Sequence, residues 1–379
     1  MAASTNPFTP GFGASPPTLA GRDGVMASIE TALTSPSSHP ASAQIIVGFR
    51  GAGKTAVLNA AQEAAQARKW AVIKHDASIG GWLDDITAMS LNLLPETQSG
   101  RIFRRVSGVQ VAGTGVHIST EGQRTEDARL LFVMQELCES MAKRNSGLLI
   151  SIDEFHSADA DSLREFGAVL QLLRRDGYRV VFLGAALPHI EDLLAEHSVP
   201  TFLQRMNRQT VAQLDQPAAQ SALRRPLVDR GVHVSADAIR IAASATGGHP
   251  YMIQLVGFHA WEHARQPDRE ITVDDLRAGI ATAENTIVTH LFEPMWRSLS
   301  DKDREFAIAM SQDDSESKLG TLADRCHVSS NYAGVYRQRL IDAGIAAPSR
   351  HGYLRFAQPV MRDWIRTRRV EGGTEPGSG

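Results

Sequence analysis

The sequence predicts an α/β core with a mostly parallel sheet, then an all-α segment, then a winged helix-turn-helix. Three observations carry this. Short apolar runs alternate with helical patterns through the first part of the chain. Strand-like runs cease after about Val211. The order helix, helix, turn, helix, hairpin, helix then closes the chain.

The elements follow in order. Residues 1–17, with Pro7, Pro10, Pro16 and Pro17, read as a flexible arm without regular structure. Val25, Ile29 and Leu33 recur at helical spacing and predict a helix over Asp23–Leu33. Ser35–Ala43, with Pro36 and Pro40, reads as a loop. Strands are expected at Gln44–Val47, Trp70–His75, Leu148–Ile152 and Arg179–Leu183. Helices are expected at Lys54–Arg68, Thr125–Lys143 and Ala158–Arg175. Val106–Ser119 alternates apolar and small residues and reads as an inserted hairpin. Pro217–Arg230, Ser235–Ala245, Pro250–His263 and Thr272–Ala283 read as helices. The expected division is a core at 18–210, a helical lid at 211–285, a third domain at 290–369 and a disordered tail at 370–379.

Composition narrows the class. The 379 residues are 42% hydrophobic and 21% charged, ordinary for a soluble chain. A formal net charge of −3 gives no whole-molecule attraction to nucleic acid or membrane. Cys138 and Cys326 lie far apart, which excludes a disulfide framework and a cysteine-cluster metal site and predicts two reduced thiols. Met1–Gly13 lacks the apolar block of a signal peptide, and no run approaches the roughly 18 apolar residues of a membrane span. The expectation is a cytoplasmic protein with no membrane partner.

Gly48-Phe49-Arg50-Gly51-Ala52-Gly53-Lys54-Thr55 fills the pattern G-x-x-x-x-G-K-[ST] in full. Ile45-Ile46-Val47 delivers the loop, glycines let its backbone wrap phosphates, and the next helix adds the positive end of its dipole. Phe49 and Arg50 occupy variable positions and have backbone roles only. Lys54 is expected to reach the β- and γ-phosphates, and the Thr55 hydroxyl to ligate Mg2+. The ligand expected is ATP, and the core a P-loop NTPase fold. Leu148-Leu149-Ile150-Ser151-Ile152 runs into two carboxylates, Asp153 and Glu154. Strand neighbours point to opposite faces, so the two have different roles. Asp153 is expected to hold Mg2+, and Glu154 to orient the attacking water. Lys54 and Glu154 are the expected catalytic pair.

The paired motifs resemble the AAA+ and STAND branches of P-loop ATPases, in which the catalytic glutamate follows the magnesium aspartate. Leu19-Ala20-Gly21-Arg22-Asp23 resembles the box before the P-loop in initiator-like ATPases, relatives of origin-recognition proteins. By that resemblance Arg22 lies near the adenine. Gly247-Gly248-His249-Pro250-Tyr251 resembles the Gly-x-Pro motif of the lid in STAND and archaeal-type ATPases, which brings His249 and Pro250 toward the nucleotide. The resemblance covers about residues 18–369. Two departures stand out. The strand after Asp153-Glu154 ends in Phe182-Leu183-Gly184-Ala185-Ala186, without the usual polar sensor, and the lid has no sensor arginine. Arg205 and Arg208 are placed either as arginine fingers or as surface charge.

At the C-terminal end, Asp301–Ser311, Leu319–Arg325 and Ser330–Ala343 read as helices, Ser329 as an N-cap, Ile345–Pro348 and Tyr353–Phe356 as a hairpin, and Pro359–Arg368 as the closing helix. From Arg325 to Arg369 there are nine arginines and two acids. Such an excess is suited to phosphates. On the third helix Ala333, Tyr336 and Leu340 make the core stripe. Ser330, Asn331, Arg337 and Arg339 are then candidates for contact with double-stranded DNA, with Arg350 and Arg355 on the wing. Two functions follow: a nucleotide-controlled DNA-binding switch, or a STAND-like regulator whose third domain docks a protein partner or a second copy. The missing sensor adds a third, a binding-only pseudo-ATPase that takes up ATP or ADP without hydrolysing it.

Overall fold

The computed structural model describes residues 5–11, 13–35, 38–95, 124–195, 199–266, 269–350 and 352–372. The hairpin expected at Val106–Ser119 and the tail beyond Gly372 lie outside the described residues. The chain divides into two compact units, 22–48 with 54–211, and 1–21 with 49–53 and 212–379.

The first unit is α/β. Helix α1 (Asp23–Thr34) precedes β1 (Ala43–Val47), α2 (Lys54–Ala67), β2 (Ala71–Asp76) and α3 (Trp82–Asn92). Then come α4 (Arg124–Lys143), β3 (Leu148–Asp153), α5 (Ala160–Arg175) and β4 (Val180–Ala186). Two short helices, α6 (Ile190–Leu194) and α7 (Thr201–Gln204), lead to β5 (Asn207–Thr210). The sheet order is β2-β3-β4-β1-β5, and every pairing is parallel. Every residue of β4, and all but the last of β1 and β3, is buried. That is why these strands read as continuous apolar runs: both sheet faces are covered. The short, polar β5 (Asn-Arg-Gln-Thr) and helix α3 carry weak signals, and the sequence reading missed both.

Local rules place the helix that backs β3. Asp159 caps α5 by accepting from the Ser162 N–H at 2.9 Å. Leu163, Phe166, Leu170 and Leu173 then form its buried stripe. Phe166 meets Trp82, Phe155 and Phe182 at ring separations of 5.3, 6.4 and 5.1 Å. This cluster fixes Phe155, one residue beyond Glu154.

The second unit is mainly helical. Its helices are α8 (Gln216–Val228), α9 (Ala236–Ala245), α10 (Pro250–His263), α11 (Val273–Ile287), α12 (Glu293–Ser298) and α13 (Asp301–Met310). After β6 (Glu316–Lys318) come α14 (Leu319–Arg325), α15 (Ser330–Asp342), β7 (Ala346–Pro348), β8 (Tyr353–Phe356) and α16 (Pro359–Gly372). Thr272 and Asp275 form a capping box that starts α11. A three-stranded antiparallel sheet, β6-β8-β7, adds a strand that the sequence reading lacked.

The segments 211–285 and 290–369 share one continuous core, from Leu223 and Val256 through Phe292 and Met295 to Phe306, Leu340 and Ile365. Helix α11 passes directly into a π turn, Val288–Phe292, and Phe292 packs 6.0 Å from the Trp364 ring. The described residues of the expected flexible arm have no helix or strand, yet they are tied down. Phe8 is buried, and a Cβ on Gly257 would lie 2.4 Å from its ring. Asn6 donates to the Phe258 carbonyl at 3.1 Å, and Arg230 donates to the Thr5 carbonyl at 2.6 Å. One buried aromatic outweighs the proline-rich composition.

Candidate functional site

The phosphate-loop sequence divides between the units: Gly48, Lys54 and Thr55 belong to the α/β unit, and Phe49–Gly53 to the helical one. Gly51 and Gly53 take φ of +77° and +88°, which a side chain would strain. Such left-handed residues turn successive N–H groups toward one concavity. Within the α/β unit the Gly48 N–H donates to the Ala186 carbonyl at 3.1 Å. Lys54, the first residue of α2, is buried and its ammonium donates to the Gly48 carbonyl at 3.0 Å. The Thr55 hydroxyl donates to Asp153 Oδ2 at 2.6 Å. The two residues are 98 positions apart in sequence. The Glu154 N–H donates to the other Asp153 oxygen at 2.9 Å.

Glu154 lies past the end of β3 with φ +46° and ψ 37°, a left-handed conformation rare for a glutamate. The strand-alternation argument for its direction therefore fails at this step, because the chain has already left the strand. Its carboxylate is 39% exposed and lies 3.2 Å from His156 Nε2. His156 and the Leu187 N–H, which donates to His156 Nδ1 at 3.3 Å, are the neighbours that sequence reasoning missed. No sequence signal joins residues on different elements 31 positions apart.

In the helical unit His249 is the N-cap of α10, and its Nδ1 accepts from the Met252 N–H at 3.4 Å. Its Nε2 lies 3.2 Å from the Arg50 carbonyl, and its ring is 5.3 Å from the Phe49 ring. Burial pushes its pKa down to about 4, only partly opposed by the Arg50 carbonyl, so the ring is neutral at pH 7. Pro250 is the first residue of α10. A Cβ on Gly53 would meet its side chain at 4.0 Å. Phe49 and Arg50, given backbone roles in the sequence reading, thus make contacts of their own. Arg22, in the α/β unit, is buried beside the start of α1, and burial lowers its pKa.

Arg208 does not stand free as an arginine finger. It lies on β5, pairs with Glu191 at 2.9 Å, and donates to the Met206 carbonyl at 2.6 Å. Arg205, at the end of α7, is exposed.

The C-terminal arginines also differ from expectation. Ser329 caps α15, Ala333 and Leu340 are buried, and Ser330, Asn331 and Gln338 are exposed. Acids outside the counted window face the arginines. Arg325 pairs with Asp313 at 2.7 Å, Arg350 with Glu316 at 3.0 Å, and Arg366 with Asp314 at 3.0 Å. Arg339 lies 3.8 Å from Asp303, and Arg355 donates to Gln213 at 3.0 Å. Arg337 is half-buried. Over 290–369 there are thirteen basic and ten acidic side chains, so the excess of seven shrinks to three. The exposed apolar residues of α15 are Tyr332, at 63%, and Val335, at 46%.

Residues 18–183 match the AAA ATPase domain family. Nucleotide binding is a property of that family, and the paired motifs led to the same reading. Residues 289–365 match a second family, a domain of unknown function, DUF8462. Of solved structures, the Walker-type ATPase PABY2304 of Pyrococcus abyssi is similar at 13% identity and a TM-score of 0.62, covering 92% of this chain and 96% of that one. At that identity the likeness concerns fold: the α/β unit with its helical continuation. The ORC2 protein of Aeropyrum pernix, in ADPNP and ADP complexes, is similar at 16% identity and a TM-score of 0.48, covering 95% and 98% of the two chains. Cdc6p of Pyrobaculum aerophilum gives 13% and 0.49, covering 97% and 98%. No curated protein matches the sequence. Among the described residues no helix is long and apolar enough to cross a membrane.

Proposed function

We propose that this chain is a magnesium-dependent ATPase that uses its nucleotide state as a switch. The observation that carries the reading is the hydrogen bond from Thr55 to Asp153, with Glu154 next along the chain. A hydroxyl and a carboxylate in contact supply the two protein oxygens that Mg2+ takes beside phosphates and water. The residues present fit the nucleotide: glycines 51 and 53 in left-handed conformation and a buried lysine beside the loop. Mg2+ held by Thr55 and Asp153 would supply charge neutralisation on the phosphates. Lys54 leaves the Gly48 carbonyl to meet the β- and γ-phosphates. Glu154 accepts a hydrogen bond from water and aims its lone pair at the γ-phosphorus. The water oxygen bonds to the γ-phosphorus as the phosphorus–oxygen bond to ADP breaks, and both water protons leave with the phosphate. Phosphate release is the test. Turnover should require Mg2+ and should fall at least tenfold in Thr55→Val. Equal turnover in EDTA would end this reading.

For the output we propose that the C-terminal segment is a winged helix whose α15 meets duplex DNA. The exposed Ser330, Asn331 and Gln338 on α15 support this. One observation favours a second reading, a protein partner: the arginines face acids of their own segment, while Tyr332 and Val335 stand exposed on the same helix. Retention on DNA that varies with nucleotide supports the first. Nucleotide-dependent capture of a protein, without DNA retention, supports the second.

A further inference from the structure

The strand that should end in a polar sensor ends in Gly184-Ala185-Ala186, yet the glutamate beside it is held. Its holder is His156. The Leu187 N–H, one residue past β4, donates to His156 Nδ1 at 3.3 Å. A ring nitrogen that accepts carries no proton, so in the neutral ring the proton sits on Nε2. Nε2 lies 3.2 Å from Glu154 Oε2, within reach of that proton. The ring has little freedom to turn. Its side chain is 10% exposed, and its edge meets the His189 ring at 4.7 Å between centroids. The turn that carries it is anchored by Phe155, fully buried against Phe182 at 5.2 Å.

We infer that His156 positions Glu154 for hydrolysis, in place of the absent polar sensor, by joining the backbone end of β4 to the carboxylate. The inference rests on the ATPase reading. A glutamate has three side-chain torsions, and one that is 39% exposed samples several orientations unless something holds it. The histidine lies against one carboxylate oxygen, Oε2. Because the ring takes its own orientation from the Leu187 N–H, a shift at the end of β4 is passed to Glu154 through one hydrogen bond and one close polar contact. The β4 end thus acts through a main-chain donor and a relay ring, where a sensor would act through its own side chain. His156 touches no reacting atom and is a positioning residue.

Full-length protein, His156→Ala, His156→Gln and Glu154→Gln are compared by phosphate release and by titration with a fluorescent ATP analogue. The expected result is a kcat at least tenfold lower in His156→Ala, with nucleotide affinity and KM within about threefold of wild type, since only orientation is lost. His156→Gln, which can still donate toward Glu154, should recover part of the rate. Histidine 15N spectra of wild type should show the Nε2–H tautomer for His156. Unchanged or faster turnover in His156→Ala, with wild type active, overturns the inference alone, as does an Nδ1–H tautomer. A wild type that binds ATP and never hydrolyses it overturns the ATPase reading and the inference together.

Discussion

The end of β3 and the arginines of the C-terminal segment were both conspicuous in the sequence, and folding treats them differently. At Asp153 and Glu154 it gathers Thr55, His156 and the Leu187 N–H from separate elements around two carboxylates. Among Arg325, Arg339, Arg350 and Arg366 it brings acids from just outside the sequence window. A motif specifies a backbone geometry as well as residue types, so its meaning survives folding. A charge count specifies neither, and its meaning depends on what lies opposite. Exposed pairs are worth under about 1 kcal/mol each, so they do not immobilise the arginines; they cancel the field that would attract phosphates.

The largest expected effect tests the first region. Glu154→Gln should lower kcat by about 10²- to 10⁴-fold, the range for a lost acid–base group, with ATP binding retained. A small loss would mean that Glu154 is a surface carboxylate like the others. Next comes pH. His249 has its pKa lowered from 6.5 to about 4, so the folded state binds fewer protons than the unfolded one between those values. Stability is intact above pH 6.5 and falls as pH drops toward 4, by up to about 3 kcal/mol. Urea midpoints from pH 7.5 to 4.5 would measure this. In His249→Asn, which keeps an N-cap side chain, that slope should flatten; an unaltered slope would move the effect to another group. Lys54→Ala should weaken ATP about 10- to 100-fold by calorimetry, the worth of one charge-assisted contact, without loss of fold. The smallest effect tests the second region. If the net excess of three governs, log affinity for duplex DNA against log salt should have a slope near −3; nine free arginines would give about −8. A slope near −8 would restore the patch and break the comparison.

Much of the α/β core could be read from the chain because its causes are local. Continuous apolar runs marked β1, β3 and β4, and amphipathic spacing marked α5. The four polar residues of β5 carried no such signal, since an edge strand has little to bury. Likewise β6 gains strand form only from pairing with β8. The site was partly legible for the same reason. The phosphate loop and the Asp153-Glu154 pair are contiguous motifs. The neighbours of Glu154, and the grip of His249 on Arg50, are not.

What the sequence by itself determined is the ladder of apolar strands, the phosphate loop, the helix cap at Ser329, and the acidic end of β3. Each depends on residues within a few positions of one another. Only the tertiary structure decided that Phe8 ties down a proline-rich arm, that 211–285 and 290–369 share one core, that the arginines face their own acids, and that a backbone N–H past β4 reaches Glu154 through His156. Those are meetings between distant positions, and burial and hydrogen bonding act on distance in space, which spacing along the chain does not encode.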